Sequence, residues 1–179
     1  VTEPPERIVD SQPVYQGRIV KFRVDTVALP DGSTAVREIV DTPGAVVIVP
    51  LTDDLQVRMV RQYRSAISDF LLELPAGTLE PNETAEHAAS RELAEETGDR
   101  ASRWQRLTGF YTVPGICSEF IHLFLATGLT QGQTNQESDE FIEVVTLPLD
   151  EALSLVKSGE ICDAKTIIGL LMVAGLERL

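Results

Sequence analysis

Cysteine is scarce: Cys117 and Cys162 are the only two in 179 residues. Two thiols do not make a disulfide framework, and a reduced, cytoplasmic setting is the expectation. No window approaches eighteen uninterrupted apolar residues, which argues against a membrane-spanning helix. The opening residues, V-T-E-P-P-E-R, hold no apolar signal region, so secretion is not expected. Basic residues are outnumbered, 15 Lys and Arg against 28 Asp and Glu, for a formal net charge of -13. That balance argues against a surface built for nucleic-acid phosphates. It leaves room for a small anionic substrate, because a metal ion and a few placed arginines reverse the sign locally.

What is present is an ordinary globular composition, 43% apolar and 24% charged. Residues 1 to 10 are rich in Pro and Glu and read as a poorly ordered arm. Residues 14 to 27 read as one or two strands around Gly17, and Pro30-Asp31-Gly32-Ser33 as a turn into a returning strand over 34 to 41. This small antiparallel sheet has too little apolar mass to stand alone, so residues 1–43 are expected to dock on the main body or on a second copy, and residues 44–179 to form the main domain. There A-V-V-I-V-P, residues 45 to 50, reads as a strand buried on both faces. Further strands are expected over 56–64, 70–75, 103–112, 120–127 and 141–147, with a polar acidic loop over 130–140. Helices are expected from about Thr84 to Thr97 with Gly98 as a left-handed cap, from Pro148 to near Ser158, and from an Asp163 N-cap onwards. Strands mixed with a few helices, without regular βαβ alternation, indicate α+β or a mixed-sheet sandwich.

The most informative stretch is residues 75 to 98, P-A-G-T-L-E-P-N-E-T-A-E-H-A-A-S-R-E-L-A-E-E-T-G. On a helix, Glu92, Glu95 and Glu96 share one face. Like charges at that spacing repel, and a divalent cation with oxygen ligands would offset the repulsion. A glutamate-rich helix is more often a solvated face. Here Ala85, Ala88 and Ala89 are small enough to let the helix lie against a sheet, and Leu93 anchors it. Arg91 can pair with Glu95 or Glu83, and Gly77 permits a sharp turn.

The same residues resemble the Nudix box, G-x5-E-x7-R-E-U-x-E-E-x-G-U, where U is bulky and apolar. Gly77, Glu83, Arg91-Glu92, Leu93, Glu95-Glu96 and Gly98 fall on its fixed positions, and only Asp99 departs, standing where an apolar residue is usual. The resemblance implies an α/β/α sandwich around a mixed sheet. It also implies hydrolysis of a nucleoside diphosphate linked to another group, with Glu92, Glu95 and Glu96 holding Mg²⁺ or Mn²⁺. Glu92 and Glu96, one turn apart, are the firmest ligands.

Other stretches are similar to the ADP-ribose pyrophosphatase subgroup of that family: R-E-I-V-D-T-P-G-A-V over 37–46, R-Q-Y-R over 61–64, L-E-L-P-A-G over 72–77, and V-P-G-I-C-S-E over 113–119, with Pro114 sixteen residues after Gly98. This likeness implies cleavage of ADP-ribose to AMP and ribose 5-phosphate by a homodimer, with other nucleotide sugars, dinucleotides or a non-hydrolysing sensor as alternatives. It implies the Ala76 carbonyl as a further metal ligand, Arg64 and Arg37 as phosphate or adenine contacts (Arg37 reaching over from a partner subunit), and Glu119 as a contact to the terminal ribose. The likeness also implies that Arg91 belongs to the catalytic set. The general base is expected in the acidic loop before Phe141, as Glu137 or Glu140, with Asp139 a weaker choice and Ser138 where relatives are often acidic. His87 and His122 read as an exposed helix residue and a strand residue, Cys162 as structural, and Cys117 lacks a base to make it a nucleophile.

Overall fold

The computed structural model describes residues 4–132 and 141–176. The chain forms two compact units, Val1–Gly44 with Tyr111–Phe120, and Ala45–Phe110 with Ile121–Leu179.

The first unit is a three-stranded antiparallel sheet in the order β1-β2-β3, from β1 (Arg7–Gln16), β2 (Lys21–Ala28) and β3 (Thr34–Asp41). The expected arm is shorter than its composition suggests, because strand structure begins at Arg7, where that residue pairs with Ala28. Pairing with β2 overrides the local Pro and Glu bias, and Pro13 is tolerated on an edge strand. The turn after β2 forms where Pro30-Asp31-Gly32-Ser33 places it, with the Asp31 carboxylate accepting from the Ser33 N–H at 3.0 Å. Residues 113–118 dock on the end of β3: the Val40 N–H donates to the Ile116 carbonyl, and the Ser118 N–H to the Val40 carbonyl.

In the second unit, β4 (Ala45–Pro50) runs between β7 (Ala76–Thr78) and β9 (Phe120–Gln131), antiparallel to the first and parallel to the second, and β8 (Asp99–Tyr111) completes the order β7-β4-β9-β8. A second sheet has the order β10-β5-β6, from β10 (Ile142–Pro148), β5 (Gln56–Arg64) and β6 (Asp69–Glu73). Both faces of β4 are covered, which is why its sequence is uninterruptedly apolar. Val46 and Ile48 meet Ala88, Ala89 and Leu93 of α1 (Ala85–Thr97). Val47 and Val49 share the other core with Leu153 of α2 (Leu149–Ser158) and Leu170 and Val173 of α3 (Ala164–Leu176). The second unit is therefore a helix–sheet–helix sandwich on a mixed sheet.

The helix boundaries follow their caps. The Thr84 hydroxyl accepts from the His87 N–H at the start of α1, and Gly98 closes it at φ 75°. The Asp163 carboxylate accepts from the Thr166 N–H at 3.0 Å, capping α3. Two further elements differ from expectation. The short strand β7 is not among the expected strands, because three residues with Gly77 at their centre carry no periodic signal. β8 starts at Asp99, with no gap after the Gly98 cap.

Candidate active site

The box residues are brought together where α1 crosses the turn after β6. The Ala76 N–H donates to a Glu96 carboxylate oxygen at 3.1 Å, so the last turn of α1 is fastened to β7. Glu96 is almost fully buried, which a carboxylate tolerates only with such partners. Gly77 faces Glu92 so closely that a Cβ on it would stand 1.9 Å from the carboxylate carbon. The glycine is needed for this approach, in addition to any turn it makes.

Arg91 organises the rest. Its Nε and one terminal nitrogen donate to the two oxygens of Glu83, at 3.0 and 2.9 Å. Its other terminal nitrogen donates to Glu92 at 2.7 Å and to Glu95 at 3.0 Å. The fork also reaches the Thr78 carbonyl at 3.2 Å. Both pairings open to Arg91 in the sequence are made at once. The guanidinium holds the Glu83 carboxyl down at about pKa 2, aided by the Glu80 N–H and His87. Arg91 itself is pushed further up by Glu83. Arg91 thus offsets the repulsion among the helix carboxylates that a cation was expected to offset. Among the described residues no group of three or more His, Cys, Asp or Glu side chains could by itself hold a metal ion. Glu92 and Glu95 are drawn to Arg91, and Glu96 to the Ala76 N–H. The donor set is nonetheless all oxygen, with the Glu92 carboxylate seated against the Gly77 backbone, which fits a hard divalent cation taking part of its shell from water and substrate.

The remaining candidates are placed as follows. Arg64, at the end of β5, donates from Nε to the buried Glu73 at 2.7 Å. Arg37 and Glu119 belong to the first unit. Arg37 pairs with Glu6, the Nε contact measuring 3.2 Å. Glu119 is half-buried, and its carbonyl accepts from the Thr112 N–H. Glu137, Ser138, Asp139 and Glu140 lie outside the described residues. His87 is exposed with Nδ1 2.8 Å from Glu83. His122 has Nδ1 2.9 Å from Arg106, and burial together with that arginine pushes its pKa down. Cys162, expected to be structural, is exposed.

Asp99 answers the question its motif position raises. It is buried beside Arg58, 3.3 Å away, where the apolar residue would pack. Burial pushes its carboxyl pKa up. The sequence reading missed Glu73 and Lys165. The signal was a glutamate inside the apolar run F-L-L-E-L, since a charge in a buried strand requires a partner.

A mixed sheet between α1 and the α2–α3 pair, with an Arg-tied carboxylate helix over a glycine cradle, defines a Nudix-type fold and site. The chain belongs to the Nudix family: the NUDIX domain model matches residues 41–168, and residues 6–40 match the nucleoside diphosphate sugar hydrolase N-terminal domain. It is 41% identical over 163 residues to an ADP-ribose pyrophosphatase of Bacillus subtilis, covering 90% of this chain and 88% of that one. It is also 41% identical over 167 residues to the methanol dehydrogenase activator of Bacillus methanolicus, covering 92% and 90%. A solved structure described as an ADP compounds hydrolase superposes with a TM-score of 0.88 at 23% identity, over 99% of this chain and 97% of that one, and is similar in fold. No helix among the described residues is long and apolar enough to cross a membrane.

Proposed function

We propose that the chain hydrolyses the diphosphate of ADP-ribose to AMP and ribose 5-phosphate, with Mg²⁺, or Mn²⁺ in its place. The observation that carries this reading is the seating of Glu92 against Gly77 and of Glu96 on the Ala76 N–H, which fixes two carboxylates one helical turn apart at a backbone turn. The pyrophosphatase relative and the subgroup stretches favour ADP-ribose as substrate.

Glu92 and Glu96, with Glu95 and the Ala76 carbonyl beside them, would hold the cation. When bound, it polarises the phosphoryl oxygens and raises the acidity of water. Arg91 keeps the carboxylates in place and, through Glu83, ties the loop over 79–83 to the helix. Arg64 offers a guanidinium to the phosphate or adenine, and Arg37 of a second copy supplies another. Glu119 accepts from the terminal ribose. Glu137 or Glu140 takes a proton from the attacking water as general base, which requires hydrogen-bonding reach in the bound complex. A homodimer is supported by β1, which exposes Ile8, Val14 and Tyr15 along an edge strand. Two free cysteines support a reducing, cytoplasmic location.

The test is incubation with Mg²⁺ and a panel of ADP-ribose, other nucleotide sugars and dinucleotides, with products identified. AMP formed fastest from ADP-ribose is the expected result, and no turnover of any member sinks the reading. Dinucleotides belong on the panel because the family resemblance leaves them open as alternative substrates. Light scattering tests the dimer: a monomer at assay concentration removes Arg37 of a second copy from the site.

A further inference from the structure

Glu73 is 2% exposed at its side chain, the last residue of β6, and both of its oxygens are engaged by cations. One accepts from Arg64 at 2.7 Å and the other from Lys165 Nζ at 2.6 Å. Lys165 also contacts the Asp163 carboxylate at 2.9 Å. That same Asp163 oxygen accepts from the Thr166 N–H and hydroxyl, and the Thr166 hydroxyl in turn accepts from the Leu74 N–H at 2.9 Å. The ring closes on the residue next to Glu73. It joins the start of α3 to the end of β6, three residues before Ala76.

This arrangement has a cost that a merely structural link would avoid. Lys165 lies in the first turn of α3, the end of a helix least favourable for a cation. A buried carboxylate with Arg64 alone would already be paired. Lys165 is shared between Glu73 and Asp163, so the four charges balance, and Arg64 is held by one edge on a single Glu73 oxygen. Its side chain remains about a third exposed, 37% against 14% for Lys165. A guanidinium held by one edge keeps donors for a second anion.

We infer that Glu73 and Lys165 are positioning residues that hold the Arg64 guanidinium ready for a phosphate of the substrate, with Lys165 fixing the Glu73 oxygen that Arg64 does not use. The inference rests on the proposed role of Arg64 in substrate binding. It predicts effects on KM, because the group they position binds substrate.

The experiment compares wild type with Glu73→Gln, Lys165→Met, Lys165→Arg, Arg64→Ala and the double variant Glu73→Gln/Arg64→Ala, on whichever panel compound wild type hydrolyses best. Loss of one partner of a desolvated charge pair should raise KM about tenfold or more in Glu73→Gln and Lys165→Met, with kcat within about twofold. Lys165→Arg should recover most of the loss. The double variant should be no worse than Arg64→Ala alone. Lys165→Met keeps the test open if Glu73→Gln does not fold. An Arg64→Ala effect on KM with an additive Glu73→Gln effect overturns the positioning role and leaves the Arg64 reading standing. An unchanged KM in Arg64→Ala overturns both. A fall in kcat at unchanged KM in Lys165→Met also overturns the inference. Poor turnover of ADP-ribose beside good turnover of another compound affects only the substrate assignment.

Discussion

The Glu92 carboxylate occupies the space into which a side chain on Gly77 would project, 1.9 Å from the ideal Cβ position. The atoms in conflict are the far end of a side chain, so Gly77→Ala should displace Glu92 and leave the backbone in place. A displacement of an ångström at a reacting centre costs about a hundredfold in rate. Gly77→Ala is therefore expected to fold with a melting temperature near wild type and to lose about that factor in kcat. A variant that unfolds, or one with unchanged kcat, refutes the account.

Glu96→Gln preserves size and keeps an oxygen to accept from the Ala76 N–H, while removing the negative charge. The last turn of α1 should remain fastened to β7. If Glu96 is a metal ligand, activity falls about a hundredfold or more, and the Mg²⁺ concentration for half activity rises. Near-wild-type rates across a Mg²⁺ titration would mean that the cation is held elsewhere.

Glu83 links acid stability to the Arg91 fork. Its carboxyl is held at about 2 in the fold, against an ordinary value of 4.5. The unfolded chain binds the extra proton first, so this contribution is fully present above about pH 4.5 and is lost as pH falls towards 2. Glu83→Gln should flatten that part of the stability curve, measured by urea melts between about pH 5 and pH 2.5. An acid limb parallel to wild type would show that Glu83 titrates alike in both states.

Arg58 and Asp99 test what replaces the apolar residue of the motif. Against its burial, the Asp99 charge is favoured first by Arg58 at 3.3 Å and then by the Thr97 side chain. Removing Arg58 alone, as Arg58→Met, strands a buried carboxylate and should cost about 3 kcal/mol. Adding Asp99→Leu should recover most of that loss, because an apolar pair of similar volume needs no solvation. Denaturant unfolding reads both. Additive losses would mean that the two side chains do not act as a pair.

Much of the fold was legible because it rests on short-range rules. The strand 45–50 is continuously apolar because both of its faces are covered, and the ends of α1 are written in Thr84 and Gly98. The arm misled because β1 owes its structure to β2, and β7 was missed because three residues centred on a glycine carry no period. At the site, spacing alone placed Glu92, Glu95 and Glu96 on one face and offered Arg91 two partners. It could not say that Arg91 takes Glu83, Glu92 and Glu95 together, nor that Glu96 turns to a backbone N–H.

The sequence by itself determined the helix, its carboxylates and the family to which the chain belongs, because a helical period maps spacing directly onto a face. Only the tertiary structure decided which charges meet. Glu73 finds Arg64 nine residues away and Lys165 ninety-two residues away, and Asp99 of one sheet finds Arg58 of the other. Such pairings depend on strand register and on how a helix docks, and a buried charge reveals in the sequence only that it must have a partner.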